Sequence, residues 1–223
     1  MATDLEGPSQ PPLSCGKPKY IVVLLHDAGS NGDEVIGLAP EWAPILGKAE
    51  FLAPHAPWPV KSDDGGRQWL SPPQAGQTGD GYPAAAERLN TFIDAALARR
   101  KLTGDRLALV GFAQGAELAL YAALRRERPL GAVVAIAGGL EPNRIGFDTP
   151  ASKPPVLLVG AGLEPQAPES LEKMEQTLSE REIPVQKLEN PGDYLGLDDN
   201  GIGLIADYLH RALVKADGDD HHH

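Results

Sequence analysis

The sequence has little cysteine and no long apolar run, and both absences exclude classes of protein. Its single cysteine, Cys15, cannot form an internal disulfide, and no cysteine or histidine cluster has the spacing of a zinc site. No apolar run approaches the roughly 18 residues that a membrane-spanning helix needs. The first 19 residues lack the apolar segment of a signal peptide. We therefore expect a cytoplasmic protein with no membrane span, no metal site and no cofactor.

Positive charge is also scarce. The chain has 20 lysines and arginines against 31 aspartates and glutamates, which gives a net charge of −11. A surface that binds phosphate must attract anions, so we expect no nucleic-acid partner. The 223 residues, 42% of them hydrophobic, suffice for one domain with a substantial core. We predict a flexible segment at 1–18, a single domain at 19–214, and a polar tail with a purification-tag remnant at 215–223.

Short apolar runs alternate along the chain with stretches of helical periodicity. Strands are predicted at 20–25, 50–53, 106–110, 131–137, 155–159 and 185–188, and helices at 34–46, 84–100, 169–181 and 200–214, with a further helix ending near residue 126. The stretch 61–82 contains five glycines and two prolines and predicts a long loop. Strands that alternate with helices indicate an α/β fold, with a mostly parallel central sheet and helices on both faces.

The most informative stretch runs from Leu107 to Leu118, where an apolar strand pattern meets two glycines and then becomes amphipathic. Its centre reads Gly111-Phe112-Ala113-Gln114-Gly115. In α/β hydrolases a sharp strand-to-helix turn carries the motif G-x-S-x-G and exposes a serine hydroxyl above the sheet. Here Ala113 stands in the serine position. Residue 113 therefore cannot act as a nucleophile.

Five short motifs occur in an order that resembles one family of hydrolases. They are Leu25-His26-x-x-Gly29, Ala53-Pro54-His55-Ala56-Pro57, Gly66-Arg67-Gln68-Trp69, Gly111-Phe112-x-Gln114-Gly115 and Pro155-Val156-Leu157-Leu158-Val159. In this order they resemble the carboxylesterase and acyl-protein thioesterase family, also described as phospholipase/carboxylesterase-like, over roughly residues 19 to 214. The resemblance implies an α/β-hydrolase fold and the cleavage of carboxylic esters or thioesters by a Ser-Asp-His triad.

The same resemblance puts the triad on residues that cannot form one. The serine position is Ala113, the acid position is Glu164 and the histidine position is Leu195. Without a hydroxyl or an imidazole, no acyl-enzyme forms and no base activates water. The oxyanion hole, made by the backbone N–H groups of Ala28 and Gln114, should survive because backbone donors do not depend on side-chain identity. Since more than the nucleophile is altered, we interpret the change as natural divergence or redesign.

Five side chains are candidates for the old acyl pocket: His26, Asp27, Trp69, Glu117 and Tyr194. Asp27 replaces the glycine of the family's H-G-x-G loop, and it could act as a base or, as we favour, cap the following turn and face water. Glu117 is expected on a solvated face. His26 is expected to hydrogen-bond the loop. Trp69 and Tyr194 either line the pocket or pack beneath a loop.

Three functions remain open from the sequence. The first is a hydrolase scaffold that is inactive towards esters and binds at most a small acyl-like or hydrophobic ligand. The second is an enzyme of changed chemistry that uses Asp27 or Glu117 as a general base, with proton abstraction as the natural reaction class. The third is a non-catalytic binding or interaction protein, which could form a homodimer as relatives often do.

Overall fold

Nine strands occur in the computed structural model, which describes residues 4–61, 64–72, 81–136, 142–146, 149–161, 167–190 and 197–218. In chain order they are β1 (Ser9–Gln10), β2 (Tyr20–Leu25), β3 (Ala49–Leu52), β4 (Trp58–Pro59), β5 (Arg67–Gln68), β6 (Leu107–Phe112), β7 (Ala132–Ile136), β8 (Val156–Ala161) and β9 (Val185–Asn190). Seven of them form one sheet in the order β1-β3-β2-β6-β7-β8-β9, and β4 pairs with β5. All neighbours in the large sheet are parallel except β1 and β3.

Seven α-helices lie between or after the strands in the described part of the chain. They are α1 (Gly32–Val35), α2 (Ala39–Trp42), α3 (Tyr82–Arg100), α4 (Gln114–Leu124), α5 (Pro142–Ile145), α6 (Ala167–Glu180) and α7 (Asp199–Gly218). Short 3₁₀ turns precede α2 and β6. None of these described helices is long and apolar enough to cross a membrane.

Both faces of the sheet are covered, because successive side chains of a strand point to opposite sides. On β2, Ile21 and Val23 join the core that α3, α4 and α6 complete. The alternate residues Val22 and Leu24 join a second core, which includes Trp42 of α2 and residues of α7. The predicted architecture, a mostly parallel sheet between two helical layers, is confirmed.

Part of the segment 1–18, which is predicted to be flexible, belongs to the sheet. Strand β1 pairs with β3, with Ser9 opposite Leu52, and Leu5 is buried in the core. The His55 N–H also donates to the Glu6 carbonyl over 2.8 Å. An unpaired sheet edge exposes a row of backbone donors and acceptors, and β1 covers part of that edge. A domain that begins at residue 19 therefore leaves out a strand of the sheet.

Two further segments differ from the sequence predictions. The helix predicted at 34–46 is divided into α1, a 3₁₀ turn and α2, and Pro40 occupies the first turn of α2, where its missing N–H is tolerated. Within the predicted loop at 61–82, β5 pairs with β4 and Arg67 forms a bridge with Ser30. This bridge joins the loop to the turn that follows β2.

Candidate functional site

The predicted strand-turn-helix is present, and Ala113 is the single residue between β6 and α4. A Cβ on Gly111 would lie 2.3 Å from the Gly115 carbonyl oxygen, and a Cβ on Gly115 would lie 2.4 Å from the Leu25 carbonyl oxygen. Real side chains do not approach backbone so closely. Both motif glycines are therefore needed for the helix to start directly above the sheet.

Ala113 has a backbone conformation that is unfavourable for a residue with a side chain, with φ at 50° and ψ at −110°. Its N–H donates to the Ile136 carbonyl over 2.8 Å, and its carbonyl accepts from the N–H groups of Ala116 and Glu117 at 2.9 and 3.0 Å. Such strain costs about 1–3 kcal/mol and persists only where the surroundings impose it. In a serine hydrolase this geometry presents the nucleophile, whereas here it presents a half-buried methyl group.

The two backbone donors predicted for the oxyanion hole converge on one oxygen atom. The Oδ1 atom of Asp27 accepts from the Ala28 N–H at 2.6 Å and from the Gln114 N–H at 3.4 Å. Ala28 follows β2 and Gln114 follows β6, and these strands are parallel neighbours with Leu25 opposite Gly111. The Asp27 side chain is exposed, as expected from the sequence.

Trp69 packs beneath the loop and is 1% exposed, which decides between the two alternatives left open for it. Its indole Nε1 donates to the His26 carbonyl over 2.8 Å, and the two rings lie 5.2 Å apart between centroids. Its backbone N–H donates to Oε1 of Gln114 over 2.6 Å. This second role of Gln114, which ties the elbow to the loop that contains Trp69, was not predicted from the sequence.

His26 is buried and holds the chain around it. The ring Nε2 accepts from the Ala56 N–H at 2.9 Å, so the proton is on Nδ1, which donates to the Asp27 carbonyl at 2.7 Å. Burial lowers the pKa of His26 to about 4, although its bond to the Asp27 backbone acts in the opposite direction. The imidazole is therefore neutral near pH 7. Both ring nitrogens are engaged with backbone, which suits the loop-holding role that the resemblance implies.

The expectation that Glu117 lies on a solvated face is wrong, since this residue is only 6% exposed. Its Oε2 accepts a hydrogen bond from the Tyr82 hydroxyl, at the start of α3. The Tyr82 ring in turn stacks on Tyr121, with 5.5 Å between centroids. Helix α4 is covered by α3 on one side and by the sheet on the other, so it has hardly any solvated face for a glutamate to occupy.

Three predicted site residues, Glu164, Tyr194 and Leu195, lie outside the described residues. The assignment of the acid and histidine positions of the triad therefore stays a prediction. Within the described ranges, no three histidine, cysteine, aspartate or glutamate side chains come together as metal ligands would.

A separate groove of about 930 Å³ lies between residues 4–9, β3 and α3. Its charged lining is mixed, with arginines at 88, 99 and 100 and glutamates at 6, 50 and 87. The guanidinium of Arg100 binds both carboxylate oxygens of Glu50, at 2.6 and 2.9 Å, and this bond raises the pKa of Arg100. None of the predicted site residues that the structure describes lines this groove.

Comparisons with known proteins agree with this geometry. A family model described as phospholipase/carboxylesterase matches residues 14–184. The crystal structure of esterase PE8 is similar at 30% identity and a TM-score of 0.82, covering 95% of this chain and 100% of that one. SOBER1 from Arabidopsis thaliana is similar at 21% identity and a TM-score of 0.71, covering 87% of this chain and 99% of its own. The carboxylesterase of Bacillus cereus has 18% identity and a TM-score of 0.71, with coverages of 93% and 94%. The last two similarities concern the fold alone, and together with the first they confirm the α/β-hydrolase fold.

Proposed function

We propose that this chain does not hydrolyse esters or thioesters, although it belongs to the phospholipase/carboxylesterase family of hydrolases. The observation that carries the proposal is the methyl group of Ala113 at the apex of the elbow. In this role the protein binds at most a small acyl-like or hydrophobic ligand at the carboxyl ends of β2 and β6.

Chemistry gives the physical reason. Acyl transfer by this family's mechanism needs a hydroxyl that attacks the carbonyl carbon and an imidazole that takes the hydroxyl proton. Ala113 supplies no hydroxyl, and the resemblance places Leu195 in the histidine position. The buried His26 does not replace the lost base, because both of its ring nitrogens are bonded to backbone. In this proposal Glu164, at the acid position, has no histidine to orient.

The test is hydrolysis of p-nitrophenyl acetate, butyrate and octanoate by the purified chain. We expect a rate equal to that of buffer, and no labelling by a fluorophosphonate probe. Ala113→Ser alone should stay inactive, since a hydroxyl without a base is a poor nucleophile. Recovery of turnover when Ala113→Ser is combined with Glu164→Asp, Leu195→His and Asp27→Gly would support the assigned positions. Clear turnover by the unaltered chain would contradict the proposal.

The alternative of a proton-abstracting enzyme is less well supported by the geometry. That reaction needs a carboxylate base together with N–H donors that are available to the substrate's developing anion. The carboxylate of Asp27 instead accepts from the same two donors, on Ala28 and Gln114. The other carboxylate, on Glu117, is buried and accepts from Tyr82.

The interaction-protein alternative, with its homodimer, has no specific observation in its favour. Among the described residues, the large hydrophobic side chains that are exposed are Leu13, Ile45 and Leu204. Single exposed hydrophobic residues are normal on monomers and need no partner. This function therefore stays a prediction from the sequence.

A further inference from the structure

The carboxylate of Asp27 lies where the oxygen of an acyl substrate would bind. We propose that Asp27 is an internal inhibitor of the oxyanion hole, so that this chain is blocked at a second place that does not depend on the missing nucleophile. The inference rests on the proposed function, because it concerns the same site. Its test nevertheless measures a donor of the oxyanion hole directly and does not depend on hydrolysis.

The position of one oxygen atom carries the argument. An oxyanion hole works when two N–H groups lie about 2.7–3.1 Å from the point that the substrate oxygen will occupy. Oδ1 of Asp27 is 2.6 Å from the nitrogen of Ala28 and 3.4 Å from that of Gln114, so it occupies the space between the two donors. A substrate oxygen cannot share that space, and the negative carboxylate also repels the charge that develops on it.

Hydrogen bonds hold the backbone on both sides of Asp27 in place. The Asp27 carbonyl accepts from Nδ1 of His26 at 2.7 Å and from the Ser30 N–H at 3.1 Å. The Gly29 N–H donates to the Arg67 carbonyl at 2.8 Å, which holds the turn against β5. The turn is therefore tied on both sides. The resemblance implies glycine at position 27, which has no side chain, so aspartate at this position brings the carboxylate to the hole.

Removal of the Asp27 carboxylate should open the hole, because this side chain is exposed and its contact with Gln114 is long. If the carboxylate is removed, the two N–H groups remain, since the strands and helix that position them do not depend on it. The emptied hole should then accept the carboxylate of a small monocarboxylic acid. Such an acid is the product class of ester cleavage.

The experiment follows the Gln114 amide by ¹⁵N–¹H NMR in the full chain. Gln114 is 87 positions from Asp27, so any response of its amide to the Asp27 carboxyl is transmitted through space. We expect the Gln114 amide proton to shift as Asp27 titrates in the unaltered chain, and we expect this shift to be absent in Asp27→Asn. The asparagine variant preserves the shape of the side chain but has no ionisable group.

Neighbouring ionisable groups do not confuse this comparison. The charged groups that act on the adjacent His26 are His55, Glu34 and Arg67. All of them, and His26 itself, remain in the Asp27→Asn variant. A pH response that is lost in that variant therefore belongs to Asp27.

The second measurement is a titration with sodium butyrate at constant ionic strength. In Asp27→Gly we expect a saturable shift of the Gln114 amide, with an affinity at least tenfold higher than in the unaltered chain. A Gln114 amide that does not respond to pH in the unaltered chain would overturn the proposal. The same butyrate response with and without the Asp27 carboxylate, including no response in either, would overturn it too. Ester turnover has no part in these readouts, so failure here is distinguishable from failure of the proposed function.

Discussion

Replacing Ala113 by glycine should stabilise this protein, although the same change from alanine to glycine destabilises most sites. The positive φ of Ala113 costs about 1–3 kcal/mol for a residue with a Cβ. Glycine removes that cost but adds about 0.5–1 kcal/mol of backbone entropy loss on folding. It also removes a half-buried methyl group, which is worth less than the roughly 0.8 kcal/mol of a fully buried one. The expected net change is a gain of about 1 kcal/mol in the free energy of unfolding.

The matched control is Ala95→Gly, which makes the same chemical change at an exposed site within α3. There the backbone is helical, and glycine should cost about 1 kcal/mol. Urea unfolding measures both variants against the unaltered chain. In thermal melts the two changes should shift the midpoint in opposite directions, by about 2–4 °C each for a protein of this size.

A loss of stability in Ala113→Gly as large as that in Ala95→Gly would refute this prediction. That result would mean that the elbow stores no strain, and that the turn is not imposed by the hydrogen bonds to Ile136, Ala116 and Glu117. In an active hydrolase, glycine at this position would also remove the nucleophilic serine. Ala113 has no hydroxyl, so Ala113→Gly tests the backbone strain without removing a hydroxyl nucleophile.

Two further predictions concern the residues on either side of the hole. Gly115→Ala should lower the free energy of unfolding by about 2 kcal/mol or more, because its Cβ would lie 2.4 Å from the Leu25 carbonyl oxygen. The control is Gly203→Ala in α7, whose Cβ meets nothing within 4 Å and which should be neutral or stabilising in the same urea assay. Burial lowers the pKa of His26 from 6.5 to about 4, so its neutral form favours the folded state, and the stability it contributes is complete above pH 6.5 and is lost as the pH falls to 4. The loss of stability between these pH values amounts to about 3 kcal/mol. It should be missing from the pH dependence of unfolding in His26→Gln but present in His210→Gln, where the side chain is exposed. Equal slopes of stability against pH in the two variants would contradict the prediction.

The central fold could be predicted because its strands are buried on both faces and read as unbroken apolar runs. Tyr20–Leu25 and Leu107–Phe112 are examples, and both are buried throughout. The short strands could not be predicted in this way. Ser9–Gln10 and Arg67–Gln68 pair through backbone hydrogen bonds that any residue can make, so their side chains carry no periodic signal.

The candidate site was predictable to the extent that it is made of backbone. The Gln114 donor follows from the motif, because glycines at 111 and 115 force the helix to begin where it does. The Ala28 donor is implied by the resemblance. The sequence does carry a signal for the burial of Glu117. Its helix is apolar on nearly all sides, and a helix of that kind is buried.

Contacts of single side chains are the part that sequence could not supply. The bond from Trp69 to Gln114 depends on how a long loop is laid over the elbow, and the loop's composition does not determine its path. Likewise, a carboxylate after a strand predicts neither the side-chain conformation of Asp27 nor its contact with Gln114. That contact requires β2 and β6 to be neighbours in one register, which appears only when the sheet is assembled.

The elbow keeps its geometry around Ala113 for a structural reason. A Cβ at position 111 would meet the backbone of Gly115, and a Cβ at position 115 would meet the ends of β2, at Leu25 and His26. Helix α4 therefore cannot cross the sheet at this distance unless both positions are glycine, whatever residue 113 carries. Alanine at position 113 relieves none of these contacts, so the glycines remain necessary for folding. The G-x-x-x-G spacing therefore indicates how the helix packs on the sheet and does not by itself indicate catalysis. Catalysis depends on the atoms at the apex of the elbow and in the oxyanion hole.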